Sequence, residues 1–370
     1  MAFEEFGSLV SGVCAHASLA AGRPIAWTII ANPKAGGFRI RSRWKKHHAH
    51  LSECIQKAVK NPLNEKSGPS QTSLEEGGST GLILTRAKGH ARDITNALIK
   101  EAMSTRKSGS ANPFYLIITA GGDGTSMEVM TGLFHAPPEL RDNFAVLRLP
   151  MGTGNDGADA WEMDEALNLL IEPAILDRQG AIKLTTASGK GPFMAFNIIS
   201  VGLDAFVTHM TNKMKGKMPG DSYKLWLDIA ALFYDKTYKV DFMDVCAWDG
   251  NGKEVKAFSE KLLLLALGES GRRYYGSRKA ILPDERNVCA VKQMSLFRKI
   301  TMKGLFATGT HISEPETMLW SAAAVEINAL HPILAQMDGE TVLLEKNDFP
   351  IKLELTEPVI PILKSNIQLA

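Results

Sequence analysis

Cysteine is scarce and scattered in this chain. Cys14, Cys54, Cys246 and Cys289 form no Cys-x-x-Cys pair, which argues against a disulfide framework or a cysteine-ligated zinc site and fits a reducing, cytoplasmic setting. Long hydrophobic runs are missing as well. Stretches such as residues 262–267 fall far short of the roughly 20 apolar residues of a membrane-spanning helix, so membrane contact is expected to be peripheral. The N-terminal segment carries Glu4 and Glu5 where a signal peptide would carry basic residues, which argues against one. Nor is charge of one sign in excess: 42 Lys and Arg face 40 Asp and Glu, a formal +2, which excludes a tail-driven or histone-like nucleic-acid binder.

What is present is globular. Hydrophobic residues make up 45% and charged residues 22% of the 370 positions, and at roughly 150 residues per domain that length suits two hydrophobic cores. From residue 25 onward, short apolar segments alternate with helical ones. Strands are expected at 25–31, 82–85, 114–119 and 144–149, with helices at 38–60, 87–103 and 126–134 and a polar loop at 61–80. That alternation predicts a three-layer α/β domain with a parallel sheet over residues 1–175. Beyond it, strands at 181–186, 193–200, 238–248, 261–267, 288–294, 324–329, 333–337 and 351–355 are broken only by helices near 222–234 and 296–308. Residues 176–358 are therefore expected to form a mainly antiparallel β-sandwich, and a last strand near 359–363 is a candidate to return to the first domain.

The strongest local signal is Gly121-Gly122-Asp123-Gly124-Thr125, set between an apolar strand and a helix. Glycines at such a turn let backbone N–H groups approach an anion, and the helix N-terminus adds favourable partial charge. A plain tight turn capped by Asp123 or Thr125 is the alternative, favoured about two to one for a generic glycine-rich turn. Two flanking turns reverse that preference. Asn32-Pro33-Lys34-Ala35-Gly36-Gly37 follows the first strand, and Pro150-Met151-Gly152-Thr153-Gly154-Asn155-Asp156 follows the fourth. Thr85 and Gly89-His90-Ala91 make a further turn after the second strand. In a parallel sheet all of these lie at the carboxyl edge, where ligands bind. Neither a Walker-type loop nor a Gly-x-Gly-x-x-Gly fingerprint is present at these turns.

These turns resemble the catalytic domain of the diacylglycerol kinase family, on Asn32-Pro33, Thr85, Gly121 to Thr125 with Glu128 and Val129, and Pro150 to Asp156. Gly202-Leu203-Asp204, Gly309-Thr310-His311 and Gln336-Met337-Asp338-Gly339-Glu340 extend the resemblance through about residues 25–363. It implies an ATP-dependent, Mg2+-assisted kinase acting on a hydroxyl of diacylglycerol or a related lipid at a membrane surface. Carried over by position, Asn32, Thr85, Gly121, Gly122, Asp123, Gly124, Thr125, Glu128, Gly152, Thr153 and Asn155 would hold the nucleotide, with Asp123 also at the Mg2+. Asp338 and Glu340 would face the same cleft, Glu340 as proton acceptor and Asp338 as its partner. Asp338-Gly339 also carries the signature of a type I′ hairpin turn, which is compatible with presenting both carboxylates. Sphingoid-base or ceramide kinase, NAD kinase and a catalytically drifted nucleotide-binding regulator are the competing readings. Gly152 to Asp156 weighs against NAD kinase. A homodimer is a candidate assembly.

The chain departs from the family at residues 279–287. Glu285 and Arg286 stand where many bacterial members carry Asp and Gly, so the structural Mg2+ site associated with that region is not expected here. The basic run Arg39, Arg41, Arg43, Lys45 and Lys46 with His47, His48 and His50 reads first as a solvated helix face. Lys213, Lys215 and Lys217 with Met210, Met214 and Met218 suit either a membrane-facing strip or ordinary packing. Arg272 to Tyr275 reads as a surface turn, and Trp226, Leu227, Ile229, Leu232 and Phe233 as core at helical spacing.

Overall fold

A computed structural model of the chain describes residues 2–17, 19, 24–60, 68–69, 80–108, 113–152, 154–172, 174–214, 234–276 and 279–365. It divides into two units. One comprises Met1–Gln179 with Pro358–Ala370, and the other Gly180–Glu357. Among the described residues, no helix is long and apolar enough to cross a membrane.

The first unit is built on a sheet of β1 (Ile25–Ala31), β2 (Gly68–Pro69), β3 (Leu82–Leu84), β4 (Phe114–Gly121), β5 (Phe144–Pro150), β6 (Ala174–Gln179) and the C-terminal strand Ile360–Ser365. β1 lies between β4 and the short β2 and β3. β5 follows β4, and Ile360–Ser365 sits between β5 and β6. Every pairing is parallel except that of β6. β4 and β5 are buried along their whole length and read as near-continuous apolar runs, as strands covered on both faces must.

Helices α1 (Ala2–Ala15), α2 (Gly36–Arg39), α3 (Arg41–Ala58), α4 (His90–Lys107), α5 (Asp123–Phe134), α6 (Pro138–Arg141) and α7 (Met163–Ile171) supply that cover. α1, α3 and α7 pack together over Ile25, Trp27, Ile29, Leu116 and Leu147, while α4 packs beside α5. The expected single helix over 38–60 is broken at Ile40, whose backbone is extended (φ −94°, ψ 109°). The break has a packing cause. Gly37 donates its N–H to the Met151 carbonyl (2.9 Å), and a Cβ there would meet the Met151 side chain at 2.9 Å. α2 is thereby seated on the turn after β5 before α3 sets off.

The second unit contains β7 (Ile182–Thr186), β8 (Phe193–Ala195), β9 (Ile198–Gly202), β10 (Phe242–Trp248), β11 (Glu254–Gly268), β12 (Arg273–Tyr275), β13 (Lys279–Leu282), β14 (Val288–Lys292), β15 (Thr317–Trp320), β16 (Ala324–Ala329), β17 (Ile333–Met337), β18 (Glu340–Leu344) and β19 (Ile351–Leu355). β11 passes through two layers. Its first half pairs with β10 and is largely exposed, and from Leu262 on it is buried between β9 and β14. The layers close on Ile199, Val245, Leu265, Val325 and Leu353, an antiparallel sandwich as the period-two pattern predicts. Helices α8 (Leu203–Met214), α9 (Tyr234–Thr237) and α10 (Leu296–Thr308) complete the unit. The expected continuous strand at 193–200 is split at Phe196-Asn197, for a reason given below. Lys215, Lys217, Met218, most of the expected loop at 61–80 and all but Tyr234 of the expected apolar helix at 222–234 lie outside the described residues.

Candidate functional site

The carboxyl ends of β1, β3, β4 and β5 bring the predicted turns together. Asn32 donates its backbone N–H to the Ala120 carbonyl (2.9 Å) and its Nδ2 to Thr125 Oγ1 (3.4 Å), while Thr85 donates its N–H to the Ala31 carbonyl (2.8 Å). α5 begins at Asp123 immediately after Gly121-Gly122, with Gly122 in extended N-cap geometry. The glycines are required by space. A Cβ on Gly121 would lie 2.4 Å from Thr125 Oγ1, and one on Gly152 would lie 2.7 Å from the Gly122 Cα. Two strand-end turns thus meet backbone to backbone at the N-terminus of a 12-residue helix, an arrangement suited to phosphate oxygens. Thr153 lies outside the described residues.

Asp123 lies beneath this cradle. Its Oδ1 accepts the Gly157 N–H (2.9 Å), and its Oδ2 stands 3.2 Å from where a Gly154 Cβ would be, with Asp156 Oδ2 at 3.1 Å from the same point. The two carboxylates therefore flank Gly154. Burial pushes the Asp123 carboxyl up, against the opposing pull of the Gly157 N–H and the Arg148 charge. Asp156 carried no individual role in the sequence reading, since a lone Asp after a glycine turn reads equally as a turn residue. Arg148 in β5 and Asp159 form a buried pair (2.5 Å), and Asp159 also accepts the Arg148 backbone N–H (2.6 Å). This pair ties the far end of the turn to its strand.

Two predicted nucleotide residues serve the scaffold. Glu128 accepts the N–H groups of Gly89 (2.6 Å) and Ala91 (3.1 Å), capping α4 from α5. Asn155, at φ 60°, accepts the Gly152 N–H (2.6 Å) and donates to the Pro150 carbonyl (3.2 Å), folding its turn onto itself. Arg43, from the basic helix, donates to the Gly152 carbonyl (3.4 Å). Two histidines of that helix meet acids: His48 contacts Glu5 (2.8 Å) and His50 contacts Asp164 (2.7 Å).

In the second unit, Asp338 and Gly339 form a two-residue hairpin between β17 and β18, with φ 45° and 96°. Positive φ at both positions is the type I′ requirement. The contacts of Asp338, the expected partner of Glu340, are with backbone. The buried Asp338 carboxylate accepts three successive backbone N–H groups, from Phe196, Asn197 (3.1 Å) and Ile198 (2.9 Å). Those contacts draw residues 196–197 out of line and split the expected strand into β8 and β9. Glu340, at the first position of β18, is half-buried.

Behind the hairpin, Gly339 donates to Gln336 Oε1 (3.1 Å), Gln336 Nε2 to Ser200 Oγ (2.9 Å), and Ser200 Oγ to Asp204 Oδ2 (2.6 Å). Burial pushes the Asp204 carboxyl up. Asp204 borders a cavity of about 140 Å³ walled by Leu203, Val207, Leu263, Ile281, Met302 and Phe306. Near it, at 284–286, the Asp284 carboxylate is taken by the Arg286 guanidinium (2.5 Å), which holds it below its usual range. An intrachain cation thus neutralises this turn. Among the described residues there is no cluster of three or more acidic, histidine or cysteine side chains arranged for a metal.

Comparison with known proteins agrees with this geometry. Residues 26–187 match the family model described as diacylglycerol kinase catalytic domain. The chain is 28% identical over 294 residues to "Probable lipid kinase YegS" of Salmonella arizonae, covering 75% of this chain and 87% of that protein. It is 27% identical over 273 residues to "Probable lipid kinase YegS-like" of Yersinia enterocolitica, covering 72% and 82%. The fold resembles the crystal structure of a diacylglycerol kinase from Bacillus anthracis, with a TM-score of 0.53 at 14% identity over 92% of this chain and 97% of that one. The match to the diacylglycerol kinase catalytic domain thus spans the turns at Asn32, Thr85, Gly121 to Thr125 and Pro150 to Asp156.

Proposed function

We propose that this protein transfers the γ-phosphoryl group of ATP, with Mg2+, to a hydroxyl of diacylglycerol or a related lipid. The observation that carries the reading is the backbone apposition of Gly122 and Gly152 at the start of α5, with Asp123 directly behind it. Phosphoryl transfer asks a protein mainly to position phosphates and neutralise charge, and exposed N–H groups at a helix N-terminus do both.

The donor set fits Mg2+, which commonly takes one or two carboxylates and completes its shell with phosphate oxygens and water. Asp123 and Asp156, flanking Gly154, would hold it. When bound, the ion neutralises charge on the phosphates and favours the ionised carboxylate that burial alone opposes. Glu340 is assigned as the group that takes the acceptor hydroxyl's proton while the acceptor oxygen bonds to the γ-phosphorus and ADP departs. Asp338 is a positioning residue, holding the β8–β9 connection against the hairpin. The apolar cavity beside Asp204 suits part of an acyl chain, which favours a lipid acceptor over NAD.

The test is transfer of labelled γ-phosphate from ATP to diacylglycerol, phosphatidylglycerol, sphingosine, ceramide and NAD, with Asp123→Ala alongside. A labelled lipid that vanishes in the variant is the expected result. Label on NAD alone, or unchanged turnover by the variant, overturns the reading.

A further inference from the structure

α10 is inverted relative to an ordinary surface helix. Its inner face is apolar, with Met302 and Phe306 in the cavity wall, but its outer face is apolar too. Phe297 is 81% exposed, Ile300 51% and Leu296 39%. At 100° per residue these three fall on one arc with Gly304 and Ala307, which are also exposed, and Thr301 and Thr308 form one rim. Lys303 forms the other rim, where it both reaches solvent and borders the cavity. The helix carries Arg298, Lys299 and Lys303 and no acidic residue. Arg298 is held by Glu314 and Glu316, and Lys299 by Asp235 (3.0 Å), so the inner cations serve to fix the helix while the outer arc remains apolar.

The size of the cavity says what that arc meets. At about 140 Å³ it matches the cavities of about 150 Å³ that accept one benzene, a fraction of a single acyl chain. An acceptor with long chains must therefore leave most of its hydrocarbon outside the cavity while its hydroxyl reacts, and the bilayer it comes from supplies that environment. The wall of the cavity and the exposed arc are two faces of the same helix.

We propose that α10 seats the protein on a phospholipid bilayer, with Leu296, Phe297 and Ile300 entering the headgroup–acyl boundary and Lys303 lying among anionic headgroups. Exposed apolar side chains bordered by a cation are the composition of an interfacial helix. The inference rests on the lipid-kinase reading, so the experiment separates the two. The full chain and its Phe297→Ser/Ile300→Ser variant are sedimented with vesicles of equal parts phosphatidylglycerol and phosphatidylethanolamine, and both are assayed on short-chain diacylglycerol below its aggregation limit. The proposal expects wild-type binding, a partition coefficient at least about tenfold lower in the variant, and equal turnover of the dispersed acceptor. A Phe297→Trp variant should bind like wild type and gain blue-shifted emission on vesicles. Equal vesicle binding by wild type and the serine variant overturns the docking face, as does a dimer that the serine substitutions split while vesicle binding stays the same. Phosphorylation of no lipid in either format, with vesicle binding still lost in the variant, overturns the kinase reading and leaves the docking face supported.

Discussion

The Cα of Gly122 and the position a Cβ would take on Gly152 are 2.7 Å apart, so the two turns approach this closely only while residue 152 is glycine. Neither residue has a positive φ, and the constraint is one of close approach alone. Gly152→Ala should therefore weaken nucleotide binding by about tenfold or more by prying the turns apart, with a smaller effect on overall stability. Titration of a fluorescent ATP analogue alongside thermal melting checks this. Unchanged affinity would mean that the turns do not act together.

Asp123 should trade stability for activity. Burial raises its native pKa above the ordinary 3.8, so the folded state holds the proton more tightly than the unfolded chain. In the window from 3.8 up to the raised native value, the unfolded state binds fewer protons, and stability falls as pH rises. Asp123→Asn removes that penalty. The variant is expected to melt higher than wild type at pH 7, to lose the advantage as pH falls toward the unfolded pKa, and to lose phosphoryl transfer at every pH. Melting curves across that range, without Mg2+, test the sign.

Asp338 and Glu340 should separate cleanly. Asp338→Ala leaves three buried N–H groups without their acceptor and should cost about 3 kcal/mol or more of unfolding free energy. Asp338→Asn keeps an acceptor and tolerates the positive φ, so it should cost less. Glu340→Gln should leave the urea midpoint near wild type and reduce kcat by about a hundredfold or more. If Asp338→Asn abolishes turnover at wild-type stability, Asp338 acts on the acceptor itself.

Removing one member of the buried Arg148–Asp159 pair leaves the other charge uncompensated. Asp159→Asn or Arg148→Met alone should destabilise by about 3–5 kcal/mol, and the double substitution should recover much of that loss. Urea unfolding of the three variants provides the double-mutant cycle.

Much of this was legible in the chain because the signals were local. Continuous apolar runs bounded by glycine turns announced β1, β4 and β5, and Asp338-Gly339 announced its hairpin. What escaped depended on partners far apart in sequence. The hold of Asp338 on residues 196–198 spans about 140 positions, and nothing near Phe196 signals that its N–H is claimed. The seating of Gly37 on Met151 breaks a helix that local propensity would continue through Ile40. That Glu128 accepts the N–H groups of Gly89 and Ala91 is visible only once α4 is brought beside α5. Charge pairing across a turn, as in Arg148 and Asp159, is likewise visible only once β5 is laid down.

The strand Ile360–Ser365 lies between β5 and β6, so the sheet of the first unit is interrupted in sequence by the whole of the second unit. During synthesis the ribosome delivers β1 to β6 long before the strand that joins the last two. The first unit therefore waits, with β5 presenting an open edge, until residues 180–357 have been made. Premature termination anywhere in the second half yields a chain with every glycine-rich strand-end turn and no finished sheet to carry them. Completion of the first unit's sheet is thus coupled to synthesis of the whole second unit.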